Sequence, residues 1–144
     1  MSTLTVKDLM RTEVITLTPG TTLQEARAKM TDLGVHHLPV VDRERHLIGI
    51  LSQRDLTRAL EPALAAQGLR TTLATGDVMT TDLVVAHPET PAAMAVEAMI
   101  ACKIGSVPVV DEANHLVGLV TETDFLEIAH EALLGISPSP RAHS

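Results

Sequence analysis

Two four-residue stretches, Ser52-Gln53-Arg54-Asp55 and Thr121-Glu122-Thr123-Asp124, carry residue types from which a binding site can be made. Each follows an apolar, β-prone run, "LIGIL" and "LVGLV", and opens a helix-prone one. The hydroxyl therefore falls at the helix N-cap and the acid at the third helical position. The arrangement can serve two ends. As a capping box it satisfies N–H groups that the helix itself cannot, and stabilises the helix by about 1 kcal/mol. As a ligand site it uses the same N–H groups and the helix dipole to attract a phosphate, with the hydroxyl donating to a phosphate oxygen. The carboxylate then accepts from both hydroxyls of a ribose. Hydroxyl then acid, three apart, suits a nucleotide, and the preceding aliphatic run can offer a slot for a base without aromatic residues.

The elements that must position these residues are also written twice. "HHLPVVDRERHLIGILSQRDL" (36–56) and "GSVPVVDEANHLVGLVTETDF" (105–125) align without a gap, 69 positions apart. The same offset carries residues 7–60 onto 76–129. It keeps Asp8/Asp77, Met10/Met79, Pro19/Pro88, Ala26/Ala95, Met30/Met99, Pro39/Pro108, Asp42/Asp111, Gly49/Gly118 and Asp55/Asp124 identical. A unit this long, present only twice, implies duplication of a half-domain whose copies pack together rather than an open array.

Each copy reads as strand, helix, strand, strand, helix. Residues 14–18 ("VITLT") and 83–87 ("LVVAH") are β-rich runs stopped by Pro19 and Pro88. Helices are expected next, opened by a capping box of Thr21 with Gln24 in the first copy and by Thr90 before Pro91 in the second. Leu23, Ala26, Met30 and Leu33, matched by Ala92, Ala95, Met99 and Cys102, give one apolar stripe per copy, with Cys102 read as a small core residue. "HLPVV" and "SVPVV" are strands, "DRER" and "DEAN" are turns, and a second strand completes each hairpin before a helix beginning near Gln53 or Glu122. Residues 61–75, broken by Pro62 and Gly68, read as a helical extension and then a loop; 136–144 read as a frayed tail.

With these residues in register the sequence resembles a CBS-domain pair, or Bateman module, over residues 7–129. Each copy has the proline strand, the turn acid, the glycine strand and the S/T-x-x-D junction. The resemblance implies an α/β (α+β) fold, a tandem pair of β-α-β-β-α units related by a pseudo-twofold axis with their sheets packed together. The first motif with its extension would span 1–68, the second 69–135, and a flexible tail 136–144. It also implies two clefts that bind adenosine compounds such as AMP, ADP, ATP or S-adenosylmethionine, each drawing on both repeats. The first cleft would combine Thr121, Thr123 and Asp124 with Met10, Ile15, Val35 and His36. The second would combine Ser52, Arg54 and Asp55 with Met79, Val84, Ile104 and Gly105. The acid would hold the ribose, the hydroxyl and Arg54 the phosphate, and the aliphatic residues the base. Pairing as a homodimer and reporting to a regulated partner protein come from the same resemblance.

The copies differ where the difference matters. Arg54 is replaced by Thr123 and Gln53 by Glu122, so the Asp55 cleft is expected to favour phosphorylated ligand. The Asp124 cleft is expected to need His36 or His37, to take a less charged adenosine compound, or to stay empty. Adjacent strand residues point to opposite faces, which speaks against one metal ion taking both His36 and His37. Met10 and Met79 suit core filling as well as cleft walls. His46 and His115, at matching places after the turns, read as turn-packing residues.

Composition narrows the functional classes. Trp and Tyr are absent, Phe125 is the only aromatic residue, and the formal net charge is -7. A core of Val, Ile, Leu, Ala and Met is expected, and nucleic acid is a poor partner for such a surface. One cysteine, no secretory h-region and no membrane-length apolar run agree with a soluble cytoplasmic protein. No G-x-x-x-x-G-K-S/T, G-x-G-x-x-G, H-E-x-x-H or C-x-x-C occurs, and neither Ser52 nor Thr121 has an activating base nearby in sequence. The reading is a ligand sensor rather than an enzyme, without a cofactor or metal. Its rivals are an interaction scaffold with vestigial clefts and a nucleic-acid-binding regulator.

Overall fold

A computed structural model of the chain describes residues 3–65 and 73–137. The elements run α1 (Val6–Leu9), α2 (Leu23–Leu33), β1 (His37–Val41), β2 (Leu47–Ser52), α3 (Gln53–Ala65), α4 (Thr75–Val78), α5 (Ala92–Cys102), β3 (Ser106–Val110), β4 (Leu116–Thr121) and α6 (Glu122–Leu133). This is the mixed helix and strand fold expected from the sequence, with two two-stranded antiparallel sheets.

The hairpins follow the repeat. Pro39 stands opposite Ile50 and Val40 opposite Gly49; Pro108 stands opposite Leu119 and Val109 opposite Gly118. In the first turn the Asp42 carboxylate accepts from the N–H groups of Glu44 (2.9 Å) and His46 (2.8 Å), and Asp111 does the same with Ala113 and His115. The carboxylate thus replaces a backbone turn acceptor, and Arg45 and Asn114 take the left-handed conformation at φ 69° and 68°. His46 and His115 each place Nδ1 3.1 Å from the same acid, which is the turn-packing role expected of them.

The β-rich runs before α2 and α5 shrink to single bridge residues. Leu17 pairs parallel with Val40, and Ala86 with Val109. Leu17 donates to the Pro39 carbonyl and its own carbonyl accepts from Val41; Ala86 repeats this with Pro108 and Val110. Extending the ladder two residues back would require an N–H on Pro39 or Pro108. Extending it two residues forward would require one on Pro19 or Pro88. Prolines have none, so the ladder stops at one rung on both sides.

Helix entry is one residue later than expected. Thr22, not Thr21, caps α2: Glu25 N–H donates to the Thr22 hydroxyl (3.1 Å) and Thr22 N–H to the Glu25 carboxylate (3.0 Å). Thr21 instead closes the preceding turn, its hydroxyl accepting from Thr18 N–H (3.2 Å). In the second copy Thr90 closes the matching turn on His87 and Pro91 is the N-cap. The apolar stripes bury Leu23, Ala26, Met30, Ala92, Ala95 and Met99, but Leu33 and Cys102 are exposed. Just after them the chain turns out through left-handed residues, Gly34 at φ 66° and Lys103 at φ 55°. The extension after residue 61 is helical to Ala65; the loop expected beyond it, through residue 72, and the tail from 138 onward lie outside the described residues.

Two compact units cut across the sequence repeats. One is Ile15–Leu83; the other joins Met1–Val14 to Val84–Ser144. In the first, Leu17, Leu23, Ala26, Met30, Leu38, Val40, Leu51, Leu56 and Leu60 form the core, with Met79 and Val35 packed against it. In the second, Val6, Ala86, Ala95, Met99, Val107, Val109 and Val120 form the core, with Met10 and Ile104 against it. α1 is stitched into this second unit by Val6 N–H to the Thr90 carbonyl (2.8 Å) and Lys7 N–H to the Pro88 carbonyl (2.9 Å). α4 enters the first unit through Thr75 N–H to Thr21 and Gly76 N–H to Pro19. The matched positions Val6 and Thr75 are both fully buried, and the Thr75 hydroxyl is accommodated by donating to the Thr21 carbonyl (2.8 Å).

Candidate functional site

The junction after β4 is built around Asp124, whose side chain is fully buried. Its Oδ2 accepts from the Thr121 N–H (2.8 Å) and hydroxyl (3.3 Å), the capping reach expected from the spacing. Its Oδ1 is buried and has no hydrogen-bond partner. The Nε of Arg11 lies 3.7 Å from that oxygen, close enough for an ion pair and too far for a hydrogen bond. The Arg11 side chain is 51% exposed, so a half-exposed cation stands beside a buried carboxylate.

The junction after β2 uses the same plan with other partners. Asp55 N–H donates to the Ser52 hydroxyl (3.0 Å), and the half-buried Asp55 carboxylate accepts from the Thr80 hydroxyl (3.2 Å). Thr80 is the repeat mate of Arg11. Both are held beside the hairpin by the same backbone pairing: Arg11 exchanges two hydrogen bonds with Leu119 (2.9 and 3.0 Å), and Thr80 two with Ile50 (3.0 and 2.9 Å). Position 11/80 thus meets the junction acid in each unit.

The reason these segments lie so close is the glycine in each second strand. A Cβ on Gly118 would stand 2.6 Å from the Met10 sulfur and 3.0 Å from the Arg11 carbonyl oxygen. One on Gly49 would stand 2.5 Å from the Met79 sulfur and 3.1 Å from the Thr80 carbonyl oxygen. Met10 and Met79 therefore lie over bare backbone, filling core space at the edge of each sheet.

The other residues named from the sequence divide between the units. Thr121, Thr123, Asp124, Met10, Val84, Ile104 and Gly105 belong to the unit of Met1–Val14 with Val84–Ser144. Ser52, Arg54, Asp55, Met79, Ile15, Val35 and His36 belong to the unit of Ile15–Leu83. His36 accepts the N–H of Gln53 on its carbonyl (2.8 Å) and shares a hydrogen bond between its Nδ1 and the Gln53 side chain (2.5 Å). Gly105 plays the backbone part of this role for Glu122 (3.0 Å). Arg54 and Thr123 are exposed at the second position of their helices. A surface hollow bounded by Arg27, Leu56, Thr57, Leu60 and Glu61 contains none of the junction residues.

Arg11 and Thr80, which meet the junction acids, are residues that sequence reasoning missed. The signal was their place directly after the identical Met10 and Met79, with an Arg/Thr exchange in the same sense as Arg54/Thr123, arginine in the first copy and threonine in the second.

The description "CBS domain" matches residues 6–62 and 75–131, the two copies in turn. The chain belongs to the CBS domain family. Among curated relatives, the CBS domain-containing protein YhcV of Bacillus subtilis is 37% identical over 138 residues, covering 92% of this chain and 94% of the relative. The inosine-5'-monophosphate dehydrogenase of Methanocaldococcus jannaschii is 36% identical over 115 residues, 80% of this chain but 21% of the enzyme. The chain spans about a quarter or less of the first three curated relatives it matches, each named as an enzyme. Among solved structures, the CBS domain pair of protein MJ0100 in complex with 5-methylthioadenosine and S-adenosyl-L-methionine has a TM-score of 0.79 at 27% identity, covering 91% of this chain and 99% of that one. CBSX2 in complex with AMP has a TM-score of 0.79 at 26% identity, covering 90% and 98%. Among the described residues no helix is long and apolar enough to cross a membrane, and no three metal-binding side chains group together.

Proposed function

We propose that this CBS pair is a regulatory module that binds an adenosine-containing ligand, AMP, ADP, ATP or S-adenosylmethionine, and reports occupancy to a partner protein. Asp55 and Asp124 accept from ribose hydroxyls. Ser52 with Arg54, and Thr121 with Thr123, lie toward the phosphate. Met10 accompanies the Asp124 set within its own unit, and Met79 the Asp55 set. The observation that carries this reading is the duplicated junction: twice, an acid in the first turn of a helix is approached by the same matched position from a neighbouring segment. Two solved CBS structures of similar fold hold adenosine compounds. Occupancy can shift a conformational equilibrium only by the difference in affinity between its states. On this reading the exposed Leu126 and Leu133 of α6, with Leu134 just after it, serve association with a second copy.

One observation favours a second reading, an interaction scaffold in which the junctions are caps alone: both acids already have partners within their own units. Thermal unfolding with each of the four ligands separates the two. A ligand at 100 times its dissociation constant stabilises by about 2.7 kcal/mol, a rise of several degrees. Asp55→Ala and Asp124→Ala should each remove part of that rise. A midpoint unmoved by all four ligands leaves the scaffold.

A further inference from the structure

The two units carry an arginine on different segments, one in the junction and the other on the segment that meets the junction acid. Where the Asp55 unit has Arg54 in the junction and Thr80 on the neighbouring segment, the Asp124 unit has Thr123 in the junction and Arg11 on the neighbouring segment. Thr80 and Arg11 both touch the junction acid, so the exchange falls within the site rather than at an unrelated surface position. Arg11 faces Asp124 with Nε, the inner nitrogen of the guanidinium, and half of the side chain stays open to solvent. The buried Oδ1 that it faces lacks a hydrogen bond. A carboxylate oxygen without a hydrogen bond beside a half-exposed cation matches a sugar hydroxyl beside a phosphate.

We propose that Arg11 is the phosphate-selecting residue of the Asp124 unit, taking there the part that Arg54 takes in the Asp55 unit, so that both units favour a phosphorylated adenosine ligand. This replaces the inequality expected from Thr123 and Glu122, since the cation absent from the junction returns on the neighbouring segment. The inference rests on the adenosine-binding reading above, and one experiment tests the two separately.

Calorimetric titration of the full chain with AMP and with adenosine measures phosphate preference as the ratio of the two affinities. Arg11→Thr should weaken AMP about tenfold or more at one site and leave adenosine within about twofold. Arg11→Thr/Thr123→Arg, which moves the arginine to the place it holds in the other unit, should restore the ratio. Should Arg11→Thr not fold, Arg11→Lys keeps a cation beside Asp124 but loses the planar fork, and a reduced ratio is expected. Wild-type protein that binds neither compound overturns this inference, and the adenosine reading falls with it when ADP, ATP and S-adenosylmethionine also fail to bind. Wild-type binding with a ratio unchanged in the variants, with AMP and adenosine weakened equally, or without rescue in the double variant overturns the assignment of Arg11 alone.

Discussion

Asp55 and Asp124 are identical in the repeat and have different surroundings. Asp124 is fully buried, holds the Thr121 N–H and faces Arg11, whereas Asp55 is half-buried and holds a threonine hydroxyl. Removing a buried acceptor leaves its donors unsatisfied at a cost of about 1–3 kcal/mol, while a half-exposed partner finds water instead. Asp124→Ala should therefore lower the midpoint of chemical denaturation clearly more than Asp55→Ala; equal effects would contradict the asymmetry. Gly118→Ala tests the close approach next door. Its Cβ would collide with Met10 and the Arg11 carbonyl, an overpacking expected to cost about 1–3 kcal/mol and several degrees in thermal midpoint. The acids were legible because hydroxyl-x-x-acid is a local pattern. Arg11 was not, because its partner lies more than a hundred residues away and no local period marks it.

At the scale of elements, the hairpin turns give a pH signature. The His46 N–H beside Asp42, and the His115 N–H beside Asp111, hold each carboxyl below its ordinary range, helped by the histidine side chains and opposed by burial. A carboxyl lowered in the folded state contributes stability above its unfolded pKa and loses it as pH falls through the folded value. Thermal midpoints of the wild type should fall as pH drops below about 4, and Asp42→Asn/Asp111→Asn should flatten that fall. An unaltered profile would contradict the turn account. These hairpins were readable from alternating apolar runs and turn acids. The single-rung ladders at Leu17 and Ala86 were not legible, although Pro19, Pro39, Pro88 and Pro108 all stand in the sequence. Their effect depends on which residues pair across space, whereas the one-residue shift of the cap to Thr22 is local, since Thr21 closes the turn on Thr18 and leaves Thr22 to pair with Glu25.

For the whole molecule, the repeat was plain in the sequence and the compact units were not. Residues 1–14 complete the unit of Val84–Ser144, contributing the fully buried Val6 and Leu9. A fragment of residues 69–144, the second repeat alone, lacks them and should show broad, weakly cooperative unfolding by circular dichroism, sharpened by fusing residues 1–14. A sharp transition without them would contradict this dependence. The most direct test of the function is a crystal structure of the full chain grown with AMP. The account predicts ribose hydroxyls about 2.5–3.0 Å from the carboxylate of Asp55, Asp124 or both. AMP bound elsewhere, with both carboxylates still engaged only by Thr80, Thr121 and Arg11, would contradict it.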